Sequence, residues 1–259
     1  MRALEKQGGL FHGPPAYEAR TPWRAGPALL ATTVIVGVGV LGAALLPQML
    51  GLGDTLTSLP GPGRGQGAGK PAGGLRAVAV WQSLVVAMTL FASLLSGGRT
   101  REVLALRPAP GGWRTYAVAF LAMAAFQLFL GGIQRSLGHD VLTDLRPFVG
   151  LVRGPDWPLT AAVVGIGAPL AEELLFRGFL LAALAQTRLG FWGAALVSTL
   201  LWSGLHAGYS VVGLAEVFAI GLFLSWLLWR TGSLRVAIFC HALYNSLIVL
   251  ALRYVDLPA

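Results

Sequence analysis

The chain has 259 residues, 55% of them hydrophobic and only 12% charged, with a mean hydropathy of +0.69. That composition is that of a multi-pass membrane protein and excludes an ordinary soluble domain. The net charge of +8 would suit a nucleic-acid partner in a soluble protein, but the basic residues lie between apolar runs, where they set topology, so no nucleic-acid partner is expected.

In chain order, Met1 to Pro27 is a basic tail carrying Arg2, Lys6, Arg20 and Arg24, expected to be loosely ordered near lipid headgroups, with His12 a solvated histidine. The first apolar run, Ala28 to Leu46, lacks a small-residue cleavage site and reads as a signal anchor. Gly53 to Gly74, rich in Gly and Pro, reads as a flexible external loop; no strand precedes it and no Gly-Lys-Ser/Thr closes it, so it carries no phosphate-loop signal. Leu75 to Leu95 is a second span, and the Arg99, Arg101, Arg107 and Arg114 that follow favour the cytoplasmic side. Further spans are expected at Trp113 to Ile133, Pro158 to Ala185, Phe191 to His206, Val211 to Trp229 and Leu234 to Leu250.

These segments predict an all-α, polytopic bundle of about seven transmembrane helices enclosing an intramembrane polar cavity. Its parts are a tail (1–27), N-terminal helices and loops (28–157) and a polar core (158–251). The Lys and Arg distribution favours a cytoplasmic N-terminus in an integral membrane protein. Abundant Ala, Gly, Arg and Pro suggest a bacterial cell membrane.

The charges inside the span from Pro158 to Ala185 need a reason, because an ionised side chain near mid-membrane costs roughly 2.5 to 3.5 kcal/mol. Glu173 and Arg177 are four apart with the acid first, a spacing that lets them pair on one helix face. Glu172 is turned about 100° from Glu173 and has no local partner, so its partners are expected on other helices. Pro169, behind Gly165 and Gly167, predicts a kink or a new helix start just upstream.

Three more polar residues stand where apolar ones are expected: His206, His241 and Asn245. His241 and Asn245 share a helix face. Each alone could be an interhelical hydrogen-bonding group, but one unpaired carboxylate, two histidines and an amide on three helices exceed what packing needs. Glu172 with His206 could hold and deprotonate a water, with His241 and Asn245 donating to the oxyanion that forms on a peptide carbonyl. The alternative is a catalytic zinc held by Glu172, His206 and His241, but the H-E-x-x-H helix is absent, so the metal-free version is favoured. Two residues are read as structural: Glu216 as a bundle-facing acid near the outer headgroups and Cys240 as a small buried hydrophobe. His139 and Asp140 read as part of a solvated loop. One strain remains: Glu172 and His206 lie about fifteen residues from the inner ends of their helices and His241 about seven, so tilt or a re-entrant turn at Thr231-Gly232-Ser233 must close the gap.

Glu172-Glu173-x-x-x-Arg177, Trp202-x-x-x-His206 and His241-x-x-x-Asn245, in that order, resemble the three motifs of the CPBP family of intramembrane proteases, which includes CAAX prenyl endopeptidases and bacteriocin-immunity members. The match covers Pro158 to Leu250, and Trp202 stands where Phe is common. The resemblance implies an endopeptidase acting on a membrane-associated protein or peptide, in contact with membrane lipid. It implies Glu172 as the catalytic carboxylate, His206 as its partner, His241 and Asn245 as the oxyanion pair, and Glu173 and Arg177 as supports. A non-enzymatic immunity factor or transporter using the same cluster for peptide or ion binding is the alternative function.

Overall fold

The computed structural model describes residues 10–11, 13–49, 71–95, 97 and 99–256. His12 and positions 53–70 of the expected external loop lie outside these residues. Every element among the described residues is helical. The elements are α1 (Ala25–Met49), α2 (Pro71–Leu94), the short α3 (Thr100–Val103), α4 (Trp113–Ser136) and a 3₁₀ turn (Arg146–Phe148). Then come α5 (Val149–Arg153), α6 (Trp157–Leu184), α7 (Gly190–Gly204), α8 (Val211–Thr231) and α9 (Leu234–Tyr254). Pro71 to Gly74, assigned to the external loop, instead open α2.

Six of these helices are long and apolar enough to cross a membrane: α1, α2, α4, α6, α8 and α9. The seventh expected span is α7, whose 15 residues reach only about 22 Å. That is short of a bilayer core of about 30 Å. The lipid-facing surface is apolar, with Leu30, Leu41, Leu128 and Phe129 all exposed.

The fold is organised around α6. More than half of its apolar window is buried (56%), against 11% for α4. It packs against α2, α7 and α9, while α1 and α2 form a hairpin beside it. The α1 residues Ala28, Thr32, Ile35, Gly39 and Ala43 make one buried stripe at helical spacing. Side chains of α2 fill the space a Cβ would take at two of its glycines, Trp81 at Gly39 and Leu84 at Gly42, so the two backbones approach closely.

The described residues of the N-terminal segment are docked, not loose; Arg2 and Lys6 lie outside the described residues. Ala16 and Tyr17 donate their N–H groups to Trp229 O (3.2 Å each), Trp23 Nε1 donates to Ala92 O (3.1 Å), and Gln186 Nε2 donates to Thr21 O (2.9 Å). Arg230 Nε donates to Leu10 O (2.7 Å). The segment's composition gave no sign of this because every acceptor is a backbone carbonyl, at the helix ends (Trp229, Ala92) or in the segment itself (Thr21, Leu10), which any sequence supplies.

α6 is not a regular helix. Ala161–Gly167 and Glu173–Leu180 are π-helical, flanking a short α-helical piece, Ala168–Glu172, that carries Pro169 in its first turn. A proline has no N–H, so the carbonyl it would have met, Gly165 in α register or Val164 in π register, needs another donor. Side chains from two neighbouring helices reach these carbonyls. Gln82 Nε2 on α2 donates to Val163 O (3.1 Å), Asn245 Nδ2 on α9 to Val164 O (3.1 Å), and Ser246 Oγ on α9 to Gly165 O (3.5 Å). In the second π segment Ser198 Oγ on α7 donates to Phe176 O (2.7 Å). The break predicted at Pro169 is thus a pair of widened turns held by polar side chains.

The turn between α8 and α9 is recessed. Ser233 and Leu234 are fully buried, Leu234 N–H donates to Ala105 O (2.8 Å), and Ser233 Oγ donates to Arg107 O (2.6 Å). α9 therefore starts inside the protein, and Leu234 packs against Gly178, five residues past Glu173. His241 stands level with Glu173, the two side chains meeting at 2.9 Å.

Candidate active site

The pairing read from spacing forms: Arg177 NH1 donates to Glu173 Oε1 at 3.1 Å, with both side chains fully buried. The Arg177 guanidinium also lies over the Trp202 ring, 4.2 Å from its centroid, a cation–π contact that a dry environment strengthens. Room for it comes from α8, where a Cβ on Gly221 would lie 2.7 Å from Arg177 NH2 and 3.0 Å from Trp202.

Glu172, 8% exposed, takes its partners from other helices as expected. Trp202 Nε1 on α7 donates to Glu172 Oε2 at 2.7 Å. His241 Nε2 on α9 stands 4.0 Å from the same oxygen, and His241 Nδ1 is 2.9 Å from Glu173 Oε1. The carboxylate of Glu173 thus holds one edge of the imidazole, so the other edge faces Glu172. Two arms run from Arg177: one through Glu173 to His241, the other through Trp202 to Glu172. A gap of 4.0 Å is too long for a direct hydrogen bond and is the separation that one water making two bonds of about 2.8 Å can bridge.

His206 and Asn245 sit differently from the sequence reading. Among the described residues, the hydrogen-bond and ion-pair partners of Glu172 are Trp202 and His241, not His206. His206 is half-buried at the end of α7, edge-on to Trp202 (5.1 Å between centroids), with Nδ1 3.3 Å from Trp202 O. Trp202, noted in the sequence only as standing where Phe is common, touches Glu172, His206, His241 and Arg177. Asn245 spends one amide hydrogen on Val164 O and keeps the second.

Sequence reasoning missed Tyr209, three residues after His206 and edge-on to it at 5.4 Å. Burial pushes its hydroxyl up to about 12, with Glu172, Asp144 and Glu216 adding to the shift. It also missed Gln82, a buried amide inside an apolar span, which was the available signal. Glu216 accepts from Gln134 Nε2 at 2.7 Å, linking α8 to α4 as a bundle-facing acid. Cys240 is fully buried. Asp140 pairs with Arg146 (3.0 Å) on the surface, and its carboxyl is held below the usual range by the Leu142 N–H and then by Arg146.

A zinc site would need Glu172, His206 and His241 to converge. Among the described residues no three His, Cys, Asp or Glu side chains do so. His241 Nδ1 is held by Glu173 and Glu172 Oε2 by Trp202, so the open atoms of the pair are His241 Nε2 and Glu172 Oε1, and His206 does not join them.

The Asn245 contact can be tested by stability. Asn245→Leu removes the donor to Val164 O, and an unpaired buried carbonyl costs about 1–3 kcal/mol. The variant is expected to unfold at lower temperature in detergent; an unchanged melting temperature would show that Val164 O does not depend on this amide.

The model of the family described as type II CAAX prenyl endopeptidase Rce1-like matches residues 154–247, the segment that contains α6 to α9 up to Leu247. An Escherichia coli relative called "Uncharacterized 24.3 kDa protein" is 31% identical over 147 residues, covering 54% of this chain and 67% of that protein. The chain belongs to the Rce1-like family. The Bacillus subtilis (strain 168) protein named "Putative membrane peptidase YdiL" is 31% identical over 93 residues, 36% of this chain and 37% of that protein. The chain thus spans two thirds of one relative's length and just over a third of the other's. No solved structure matches the chain at a significant level. The Rce1-like family is one of membrane proteases, and six apolar helices make this member a multi-pass integral membrane hydrolase.

Proposed function

We propose that this protein is an intramembrane endopeptidase that hydrolyses a peptide bond near the C-terminus of a membrane-associated protein or peptide, using a water activated by Glu172 without a metal. The observation that carries this reading is the 4.0 Å gap between Glu172 Oε2 and His241 Nε2 inside a buried, fully oriented set of side chains. Glu172 takes the proton of a water lodged there as the oxygen attacks the scissile carbonyl. His241, fixed by Glu173, holds that water and then hydrogen-bonds the oxyanion together with the free amide hydrogen of Asn245. Protonated Glu172 returns the proton to the leaving amine. His206, edge-on to both Trp202 and Tyr209, contributes to orienting the water. Glu173 and Arg177 are positioning residues. The family name points to CAAX-type prenylated substrates, and the basic 99–114 segment supports a cytoplasmic N-terminus in a bacterial cell membrane.

The test is mass-spectrometric detection of cleavage of a membrane-presented peptide library by the purified protein in nanodiscs, with and without a strong chelator. Cleavage is expected, and the chelator is expected to change its rate by less than about twofold. Loss of activity with chelator and rescue by zinc would overturn the metal-free mechanism. Absence of cleavage across prenylated and unprenylated libraries would favour a non-catalytic peptide-binding protein.

A further inference from the structure

α6 divides at Glu172. Every residue from 171 to 184 is buried, whereas 157–170 mix buried, half-buried and exposed positions. α9 divides at the same level: His241 is buried, and residues 242–246 are all half-buried. From Glu172 toward the C-terminal ends of α6 and α8 the bundle is filled. Phe176, Phe179, Leu180, Leu224, Leu228 and Leu234 are each 2% exposed or less. The N-terminal segment then closes that end, through the bonds of Ala16 and Tyr17 to Trp229 O and of Gln186 to Thr21 O. A close-packed apolar layer of this kind leaves no path for water or for a peptide.

The opposite end is polar. α4 ends, α6 begins, α7 ends, α8 begins and α9 ends there. Gln134 Nε2 donates to Glu216 Oε2 (2.7 Å), the Ser210 N–H and Oγ donate to Asp144 (2.7 and 2.8 Å), and Arg153 Nε donates to Leu252 O (2.9 Å), which ties these ends together. Tyr209, Tyr244 and Asn245, all half-buried, lead from the catalytic centre toward this end. Tyr209 lies within the field of Glu172, Asp144 and Glu216, and Tyr244 within that of Glu216, so these groups share one region. The short α7 leaves room for an opening. Its 15 residues start at Gly190, close after the C-terminal end of α6, and reach only about 22 Å, so the length missing from a full span lies beyond His206.

Charge says which side this is. Arg99, Arg101, Arg107 and Arg114 lie between α2 and the first turn of α4, and the Leu234 N–H bond to Ala105 O fixes that segment at the sealed end. A basic cluster between two spans lies in the cytoplasm, which makes the polar end the outer one. We propose that the catalytic centre opens on the outer face of the membrane, so that its substrate is a membrane-associated protein or peptide whose scissile bond lies on that side. The opening stands on packing and charge; the side of the substrate rests also on the peptidase reading.

The experiment is labelling with a membrane-impermeant sulfonated maleimide, applied to sealed right-side-out spheroplasts and to inverted vesicles holding the full chain with one added cysteine. The parent chain, whose one cysteine, Cys240, is fully buried, is the blank. Ser136→Cys marks the polar end and Arg101→Cys the sealed end, both at exposed positions. Tyr209→Cys in the opening and Asn245→Cys at the centre are expected to label at least about tenfold faster from outside, like Ser136→Cys and unlike Arg101→Cys, because a charged reagent does not cross the hydrocarbon core. Labelling of Tyr209→Cys from the Arg101 side overturns the proposal. So does failure of both site variants to label from either side while Ser136→Cys labels, since the centre then has no aqueous opening. Labelling of Ser136→Cys only from inside makes the opening cytoplasmic and overturns the outer-side substrate. Tyr209→Cys decides even where Asn245→Cys, which loses the donor to Val164 O, does not fold. None of these results needs cleavage, so failure of the peptidase reading is seen separately, in the nanodisc assay.

Discussion

Glu172→Gln is expected to lower the rate of peptide cleavage by about 10²–10⁴-fold, the contribution of a positioned general base, while the protein stays folded. The amide keeps the carboxylate's shape, and its oxygen can still accept from Trp202 Nε1, now 2.7 Å from Glu172 Oε2. What is lost is the base. The measurement is single-turnover cleavage in nanodiscs beside circular dichroism of the same samples. Equal rates for wild type and variant would remove Glu172 from the mechanism and leave His241 or His206 as the group to test. A misfolded variant would be visible as lost helicity and would not count for either outcome.

Arg177→Met is expected to be the most destabilising substitution, by about 3–5 kcal/mol, because it leaves Glu173 buried with its main counter-charge gone. Glu173 and Arg177 are both fully buried, and Arg177 also covers the face of Trp202, so the loss reaches both arms of the site. The double variant Glu173→Gln, Arg177→Met should recover part of the loss, since the uncompensated charge is then removed with its partner. Thermal unfolding in detergent reads both. Additive losses in the double variant would mean that the pair contributes packing and not charge neutralisation.

Much of this arrangement was legible because spacing and burial are sequence properties. Glu173 and Arg177 pair because four residues return to the same face, and Glu172 looks elsewhere because one residue does not. The prediction that Glu172 would find partners on other helices needed only its charge and the apolar run around it. Which partners it finds was not legible. The Trp202 indole N–H reaches Glu172 only because Arg177 and Gly221 fix the ring's position, and that depends on how three helices pack. The shared face of His241 and Asn245 was correctly read, yet each side chain turns to a different acceptor, Glu173 and Val164 O. That carbonyl is open because of Pro169, so the signal was present, but its consequence needed the π register of α6. Docking of the N-terminal segment rests on backbone acceptors, so the donors Trp23, Gln186 and Arg230 carry no mark in the sequence of where they bind. The sequence also placed a full span at Phe191 to His206, whereas α7 stops at Gly204, two residues before His206.

The two widened turns of α6 have a consequence for chain length. A π turn holds one residue more than the α turn it replaces, so each acts as a single-residue insertion absorbed without breaking the helix. Removing one residue from 161–167 would restore ordinary winding there and leave the downstream helix in its present phase, with Glu172 still facing Trp202 and His241. A deletion within a regular α-helix has no such outlet and turns every later residue by about 100°. The wide turns therefore let the length of α6 vary by a residue while its phase is kept, and phase decides which of two adjacent glutamates faces Trp202.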